Sequence, residues 1–204
     1  MMRNVVSKKN RVCGRLHRFC RAEDGSAIVE FAFLAPILIF LMLGAITAFD
    51  SVRGIRYLEN ATTTAADLST RLASMDSNME TAIFNTVEAL LGKYATRNDY
   101  HLTITSVANP LNSGNSNPIV VWSSGTDPAQ ELKTEDLAGI TLPAIPNGEG
   151  VILVSSEMTH NPAFLIKNFN RTFKFENSVI RRPRFVNEVC YAVDKNDFVC
   201  SDDV

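Results

Sequence analysis

The stretch GSAIVEFAFLAPILIFLMLGAITAF, residues 25–49, decides the architecture of this 204-residue chain. From Ala27 to Phe49 it contains 23 residues with one ionisable side chain, that of Glu30. A helix that spans a bilayer needs roughly 20 predominantly apolar residues. At about 1.5 Å rise per residue, this stretch makes a helix of roughly 34 Å, which is long enough to cross with some tilt. We therefore predict a transmembrane helix over residues 26–50.

The two flanks of this stretch differ in charge. Residues 1–25 carry seven basic and two acidic side chains, a balance of +5. The rest of the chain carries 13 basic and 20 acidic side chains, a balance of −7. Because positively charged flanks stay in the cytoplasm, we expect residues 1–25 to be a basic cytoplasmic leader and the chain beyond residue 50 to be exported. Beyond Phe19, the leader has no interleaved aromatic pattern of the kind typical of nucleic-acid binding, so we expect no nucleic-acid partner.

A cleaved secretory signal peptide is the main alternative to a retained anchor. The apolar core of such a peptide runs for ~7–15 residues and ends in a small-x-small cleavage site. Here the apolar run is longer, is interrupted by Glu30 and Pro36, and ends in a poor match to that site. We therefore favour a retained helix, with Pro36 as a kink that neighbouring helices tolerate.

The helical pattern continues beyond the apolar stretch. Apolar residues recur every three or four positions through residues 52–90, which is typical of an amphipathic helix. We predict such a helix over residues 51–95, with Gly92 as its C-terminal stop. Gly54 and the threonines at 62–64 are weak helix formers, so they are the expected points of bending or breakage.

Residues 96–204 show a different pattern, rich in β-branched residues and partly alternating. Strands are predicted at residues 101–107, 119–123, 151–158 and 172–180, with a short helix near residues 129–137. Consecutive strands without long helices between them favour an antiparallel sheet. We therefore predict an α+β fold, in which a long N-terminal transmembrane helix extends into a periplasmic helix packed on a small antiparallel sheet.

The four cysteines fall into two groups. Cys13 and Cys20 lie in the leader, where a cytoplasmic setting keeps thiols reduced. Cys190 and Cys200 bracket a short strand, a polar turn at residues 194–197 and a return strand. We predict a disulfide that closes this C-terminal hairpin in an oxidising compartment; two buried free thiols are the alternative. The turn lacks the glycine and the distal glutamate of a calcium loop, so no metal is expected.

Residues for catalysis do not converge in the sequence. The histidines, His17, His101 and His160, are scattered, and we expect the last two to be solvated loop side chains. The sequence contains no phosphate-binding glycine loop, no nucleophile elbow and no helix with paired histidines. We expect a protein that is not an enzyme and that uses no cofactor.

Glu30 is the unusual residue of the apolar stretch. An ionisable group near the bilayer midplane costs ~2.5–3.5 kcal/mol on insertion scales. Because Glu30 lies a turn inside the cytoplasmic edge, its carboxylate can reach the headgroups at a lower cost. Alternatively, a cut between Gly25 and Ser26 creates an amine, and the amine of a neighbouring subunit neutralises Glu30. In a low dielectric an unmatched carboxylate opposes assembly, whereas a matched one sets the stagger between subunits.

These residues carry a family resemblance. The basic leader, the motif GSAIVEF at residues 25–31 and the apolar run AFLAPIL at 32–38 resemble the TadE-like pseudopilins of bacterial tight-adherence (Flp-type) pilus systems. The likeness is strongest over residues 21–50 and weaker over residues 148–154 and 179–184. The best-characterised processing motif of such systems has Tyr where this chain has Phe31.

The resemblance implies a non-catalytic, pilin-like protein that passes once through the inner membrane of a diderm bacterium and supports pilus assembly, adhesion or secretion. The expected partners are membrane lipid, other pilin or pseudopilin subunits, the pilus assembly platform and prepilin peptidase. By position, Gly25 precedes the peptidase cut, Ser26 is the new terminus and Glu30 is the assembly carboxylate. A permanently anchored periplasmic binding or scaffold protein, unrelated to pili, is the alternative function.

Overall fold

A computed structural model describes residues 24–97, 99–111, 117–161, 172–194 and 197–201. Almost all of the predicted leader, including Cys13, Cys20 and His17, lies outside the described residues. The chain divides into two units, residues 1–48 and residues 49–204. The described part of the first unit is the N-terminal part of helix α1 (Asp24–Ser69); all other described elements belong to the second unit.

Helix α1 passes through both of the predicted weak points without a break. The hydroxyls of Thr62 and Thr64 each donate to the carbonyl oxygen four residues earlier, at 2.7 Å, so these side chains satisfy themselves within the helix. Gly54 lies against the ring of Tyr94, where an added Cβ would be 3.4 Å from the ring carbon Cε1. Gly54 therefore permits a close helix-to-ring contact.

The prediction of one amphipathic helix over residues 51–95 is wrong beyond the end of α1. A two-residue strand, β1 (Ser74–Met75), separates α1 from a second helix, α2 (Ser77–Leu91). The side chain of Asp76 accepts a hydrogen bond at 2.7 Å from a backbone N–H in the first turn of α2, so it caps the new helix. Gly92, at φ 53°, ends α2 as predicted, and a short helix, α3 (Lys93–Arg97), follows.

The predicted antiparallel sheet is confirmed. It consists of β2 (Asp99–Asn109), β3 (Ile119–Gly125), β4 (Glu149–His160) and β5 (Phe173–Arg181), in the spatial order β3-β2-β4-β5. Every neighbouring pair is antiparallel. Strands β2, β3 and β4 are longer than their predicted ranges, and β5 is shifted by one residue toward the C-terminus. In place of the single helix predicted near residues 129–137, the chain forms two short 3₁₀ helices, at Pro128–Gln130 and Thr134–Gly139.

The main core lies between the helices and one face of this sheet. Its buried side chains come from both helices and both central strands, including Leu58, Ala61, Ala65, Ile83, Val87, Ile104, Ile152 and Val154. A hydroxyl pair, Thr62 Oγ1 and Ser156 Oγ at 2.6 Å, joins α1 to β4 inside this core. A smaller cluster around Val107, Leu137 and Val151 covers part of the other face. The sheet is therefore buried on one face and partly covered on the other.

The C-terminal hairpin belongs to a second sheet. Strand β6 (Cys190–Asp194) pairs in parallel with β1 and antiparallel with β7 (Asp197–Val199). The carbonyl oxygen of Val189 accepts hydrogen bonds from Trp122 Nε1 at 2.7 Å and from Ser106 Oγ at 3.1 Å. Val189 itself is fully buried. The hairpin is therefore attached to the main sheet through the residue that directly precedes it.

Candidate functional sites

The first part of α1 is apolar and exposed. Among the described residues, α1 is the one helix that is long and apolar enough to span a membrane. Apart from Leu43, its large apolar side chains between Ile28 and Phe49 are 42–74% exposed. The hydroxyl of Thr47 donates to the Leu43 carbonyl oxygen at 2.9 Å, so its donor is satisfied within the helix. This surface is suited to lipid or to other apolar helices.

The predicted processing and assembly residues occupy the start of α1. Gly25 and Ser26 belong to its first turn, and the Glu30 side chain is exposed in the following turn. Four residues of helix correspond to a rise of about 6 Å, so Ser26 and Glu30 lie on the same side of α1. This spacing suits the pairing of a terminal amine on one subunit with a carboxylate on another.

Pro36 lies within α1, which continues past it. Because proline has no N–H, it cannot donate to the carbonyl oxygen of Ala32, and the kink predicted there remains a prediction. Further along, Gly44 and Ala48 are small residues four positions apart, and a Cβ added to Gly44 would meet no atom within 4 Å. Small residues at this spacing let helices approach closely in a membrane.

The predicted hairpin cysteines are joined in the structure. The sulfurs of Cys190 and Cys200 are 1.99 Å apart. The carboxylate of Glu188 lies beside them and accepts a hydrogen bond from the Ser201 backbone N–H at 3.1 Å. The two sulfurs and a carboxylate oxygen of Glu188 all lie within 4.8 Å of one another. Because the two sulfurs are bonded to each other, they are not thiolate ligands, and the cluster does not fit a metal ion in this state.

The prediction of a solvated loop position is wrong for His160. This residue ends β4 and is fully buried, with its ring stacked on Phe175 at a centroid distance of 5.6 Å. Its Nε2 is 3.7 Å from Asp50 Oδ2, and the Tyr94 hydroxyl donates to Asp50 Oδ1 at 3.0 Å. Asp50 comes directly after the apolar stretch, so these contacts tie that point of α1 to α3 and β4.

His101 lies in a strand, in agreement with the predicted range 101–107, and not in the loop that we expected for its side chain. It lies in β2, half-buried, with its Nδ1 3.8 Å from Asp127 Oδ2. The two histidines that the structure describes are thus each placed beside a different carboxylate. No sequence pattern indicates these two pairs, because each carboxylate lies far from its histidine along the chain.

A second polar cluster that the sequence did not indicate surrounds Glu80 of α2. Its carboxylate accepts a short hydrogen bond from Ser124 Oγ in β3 and one of 3.0 Å from the Tyr191 hydroxyl in β6. Burial, followed by the hydrogen bond to Glu80, raises the pKa of the Tyr191 phenol. The ring of Tyr191 also packs 5.7 Å from that of Trp122. The cluster holds one helix and both sheets together, which is a structural role.

The outer face of the main sheet carries a shallow polar cleft. Glu157 and Glu176 are directly opposite each other on β4 and β5, and Lys174 Nζ is 2.9 Å from a carboxylate oxygen of each. These hydrogen bonds raise the pKa of the Lys174 ammonium group. Thr103 and Ser155 complete the wall of the cleft. The lysine compensates the like-charged pair, so this arrangement stabilises strand pairing.

The residues of the first unit therefore concentrate the features that point to a function: an exposed apolar helix and a carboxylate near its start. In the second unit, the described polar clusters join elements of the fold. Comparison with family models, with curated protein sequences and with solved structures gives no match to this chain.

Proposed function

We propose that this protein is a TadE-like pseudopilin, or minor pilin, that supports assembly of a tight-adherence (Flp-type) pilus or of a related secretion machine. In this proposal the leader is cytoplasmic, residues 26–50 cross the inner membrane and the α+β unit is periplasmic. The protein acts through helix packing in the membrane and has no catalytic activity. Its partners are other pilin or pseudopilin subunits, the assembly platform and prepilin peptidase.

The carrying observation is the continuity of α1. The helix begins with the Gly25–Glu30 motif, presents an exposed apolar surface, and then buries Leu58 and Ala65 against the sheet of the second unit. A signal peptide removed after the apolar stretch would require a cut in the interior of this helix. Because the apolar stretch belongs to the same helix as the residues packed on the sheet, the continuity of α1 supports a retained subunit.

Two further features support the orientation. The leader has a balance of +5, which favours a cytoplasmic position. The disulfide between Cys190 and Cys200 is of the kind that forms in an oxidising compartment such as the periplasm. Both features support a position of the second unit outside the cytoplasm.

Processing is tested by intact-mass and N-terminal analysis of protein purified from membranes. A pseudopilin is expected to begin at Ser26, without the 25-residue leader. An intact leader in cells that have an active prepilin peptidase would contradict processing. It would favour the alternative, a permanently anchored periplasmic scaffold in which the Gly25–Glu30 motif is incidental.

The assembly role of Glu30 is tested by Glu30→Gln, with Glu59→Gln as the matched control. Both glutamates are exposed on α1, but Glu59 lies beyond the apolar stretch. Glu30→Gln should insert normally and lose piliation or surface attachment, because a neutral amide cannot pair with a subunit amine. Glu59→Gln should behave as wild type. Normal piliation of the Glu30→Gln strain would remove the carboxylate from the mechanism.

A further inference from the structure

The exposed side of α1 changes character directly after the apolar stretch. Phe49, Val52, Arg53 and Arg56 are all exposed, and their spacing of three or four residues puts them on one side of the helix. The opposite side, including Leu58, is buried against the sheet. Two arginines therefore follow two exposed apolar residues on a surface that the described residues of the second unit leave exposed.

The first arginine is held in place by aromatic side chains. Arg53 Nη2 donates to the Tyr57 hydroxyl at 3.2 Å, and its guanidinium carbon is 5.5 Å from the centre of the Tyr57 ring. The Tyr57 ring is 5.4 Å from that of Tyr94, whose hydroxyl donates to Asp50. Lys93 Nζ is 5.3 Å from the centre of the Tyr94 ring. Cations thus flank a tyrosine pair that is anchored in the domain.

The electrostatics of this group favour an anion. The hydrogen bond to Tyr57 is the main cause that raises the pKa of the Arg53 guanidinium, and Asp50 is the smallest of the causes. The same bond lowers the pKa of the Tyr57 phenol. The Asp50 carboxylate accepts a hydrogen bond from the Tyr94 hydroxyl and lies 3.7 Å from His160 Nε2, so its oxygens face the interior of the second unit.

The position along the helix matches the headgroup layer. Arg53 and Arg56 lie four and seven residues after Phe49, a rise of about 6 Å and about 10 Å. The headgroup region adds about 5–7 Å on each side of the hydrocarbon core. Because Cα–Cβ bonds tilt toward the helix N-terminus, both arginine side chains start back toward the apolar stretch. Their guanidinium groups can therefore reach lipid phosphates.

We propose that Arg53, Arg56, Tyr57 and Lys93, here called the arginine collar, bind the headgroup of an anionic phospholipid of the phosphatidylglycerol class. The collar rests on the proposed membrane insertion and adds a lipid preference to it. Guanidinium groups are weakly hydrated and form paired hydrogen bonds with phosphate oxygens. Tyrosine is also favoured at the membrane–water interface, where an apolar ring meets a polar hydroxyl. Net negative charge selects this lipid class over phosphatidylcholine.

The test uses the full chain in nanodiscs that contain phosphatidylglycerol and phosphatidylcholine in equal amounts. Native mass spectrometry then measures which lipids stay bound when the protein is released. We expect phosphatidylglycerol to be enriched about fivefold for each arginine that engages a headgroup. In Arg53→Gln/Arg56→Gln the ratio should fall to that of the bulk lipid, and Arg53→Lys/Arg56→Lys should retain most of the enrichment.

The matched control is Lys133→Gln/Arg181→Gln, which removes the same charge from exposed positions in and beside the sheet. It should bind lipid as wild type does. Trp122 fluorescence verifies that each variant is folded, since this residue lies in the core of the second unit. Two outcomes would refute lipid binding by the arginine collar: equal phosphatidylglycerol enrichment in wild type and in the Arg53→Gln/Arg56→Gln variant, or the same loss of enrichment in the control variant.

The two proposals fail in distinguishable ways. A chain that inserts into the nanodisc but shows no preference for phosphatidylglycerol refutes the collar and leaves the pseudopilin proposal intact. A chain that fractionates as a soluble protein refutes membrane insertion, and with it both proposals.

Discussion

Replacing both Cys190 and Cys200 with alanine should lower the free energy of unfolding of the second unit by about 2.7 kcal/mol. The two cysteines are 10 positions apart, and the chain-entropy relation for a closed loop of that length gives this value at 25 °C. The effect should extend beyond the hairpin, because β6 also pairs with β1 and the preceding Val189 accepts the hydrogen bond from Trp122. Loosening the hairpin therefore weakens its attachment to the main core.

The chain contains a single tryptophan, which makes the assay specific. The centre of the Trp122 ring lies 5.7 Å from that of Tyr191 in the hairpin, so Trp122 fluorescence reports whether the hairpin is packed against the main sheet. Urea titrations of the full chain in mild detergent should show a midpoint lowered by roughly 1–3 M, given a denaturant slope of about 1–3 kcal/mol/M. The detergent concentration must be the same for both proteins.

Reduction provides the internal control. A phosphine reductant should lower the midpoint of the wild-type protein by a similar amount and should leave that of the double variant unchanged. Equal midpoints for wild type and double variant without reductant would refute the assignment of stability to this bond. A shift on reduction in the double variant would assign the effect to other cysteines.

Two further predictions concern single residues of the second unit. Gly148 has φ 77°, and an added Cβ would be 2.9 Å from Leu111 Cγ, so Gly148→Ala should lower the free energy of unfolding in urea by about 1–3 kcal/mol. Leu111→Ala in the same chain should recover only the steric part of this loss. A wild-type midpoint for Gly148→Ala would contradict the strain at this position. Burial and the hydrogen bond to Glu80 raise the pKa of the Tyr191 phenol in the folded state. Its contribution to stability is therefore complete below about pH 10 and is lost as the pH rises through the folded-state pKa. Tyr191→Phe should reduce this alkaline loss of stability in urea titrations, and an unchanged pH dependence would exclude the phenol as its source.

The strands were predictable because their signal is local. Alternation and β-branched residues mark β4 and β5 within a few residues: the structure extends β4 by two positions at each end and shifts β5 by one. The break between α1 and α2 was not visible in the periodicity, since Ile83 and Val87 continue the same spacing on the second helix. Asp76 was a readable N-cap signal within that stripe, and it indicates where α2 begins.

The sequence by itself determined the membrane-length apolar run, the charge difference between its flanks, the α+β class and the cysteine pair of the hairpin. These properties depend on composition and on spacing over a few residues. Only the tertiary structure decided that His160 is buried near Asp50, that Glu80 joins α2 to both sheets, and that Arg53 and Lys93 flank one tyrosine pair. Such contacts join residues that are distant in the chain, so packing creates them and no local pattern encodes them.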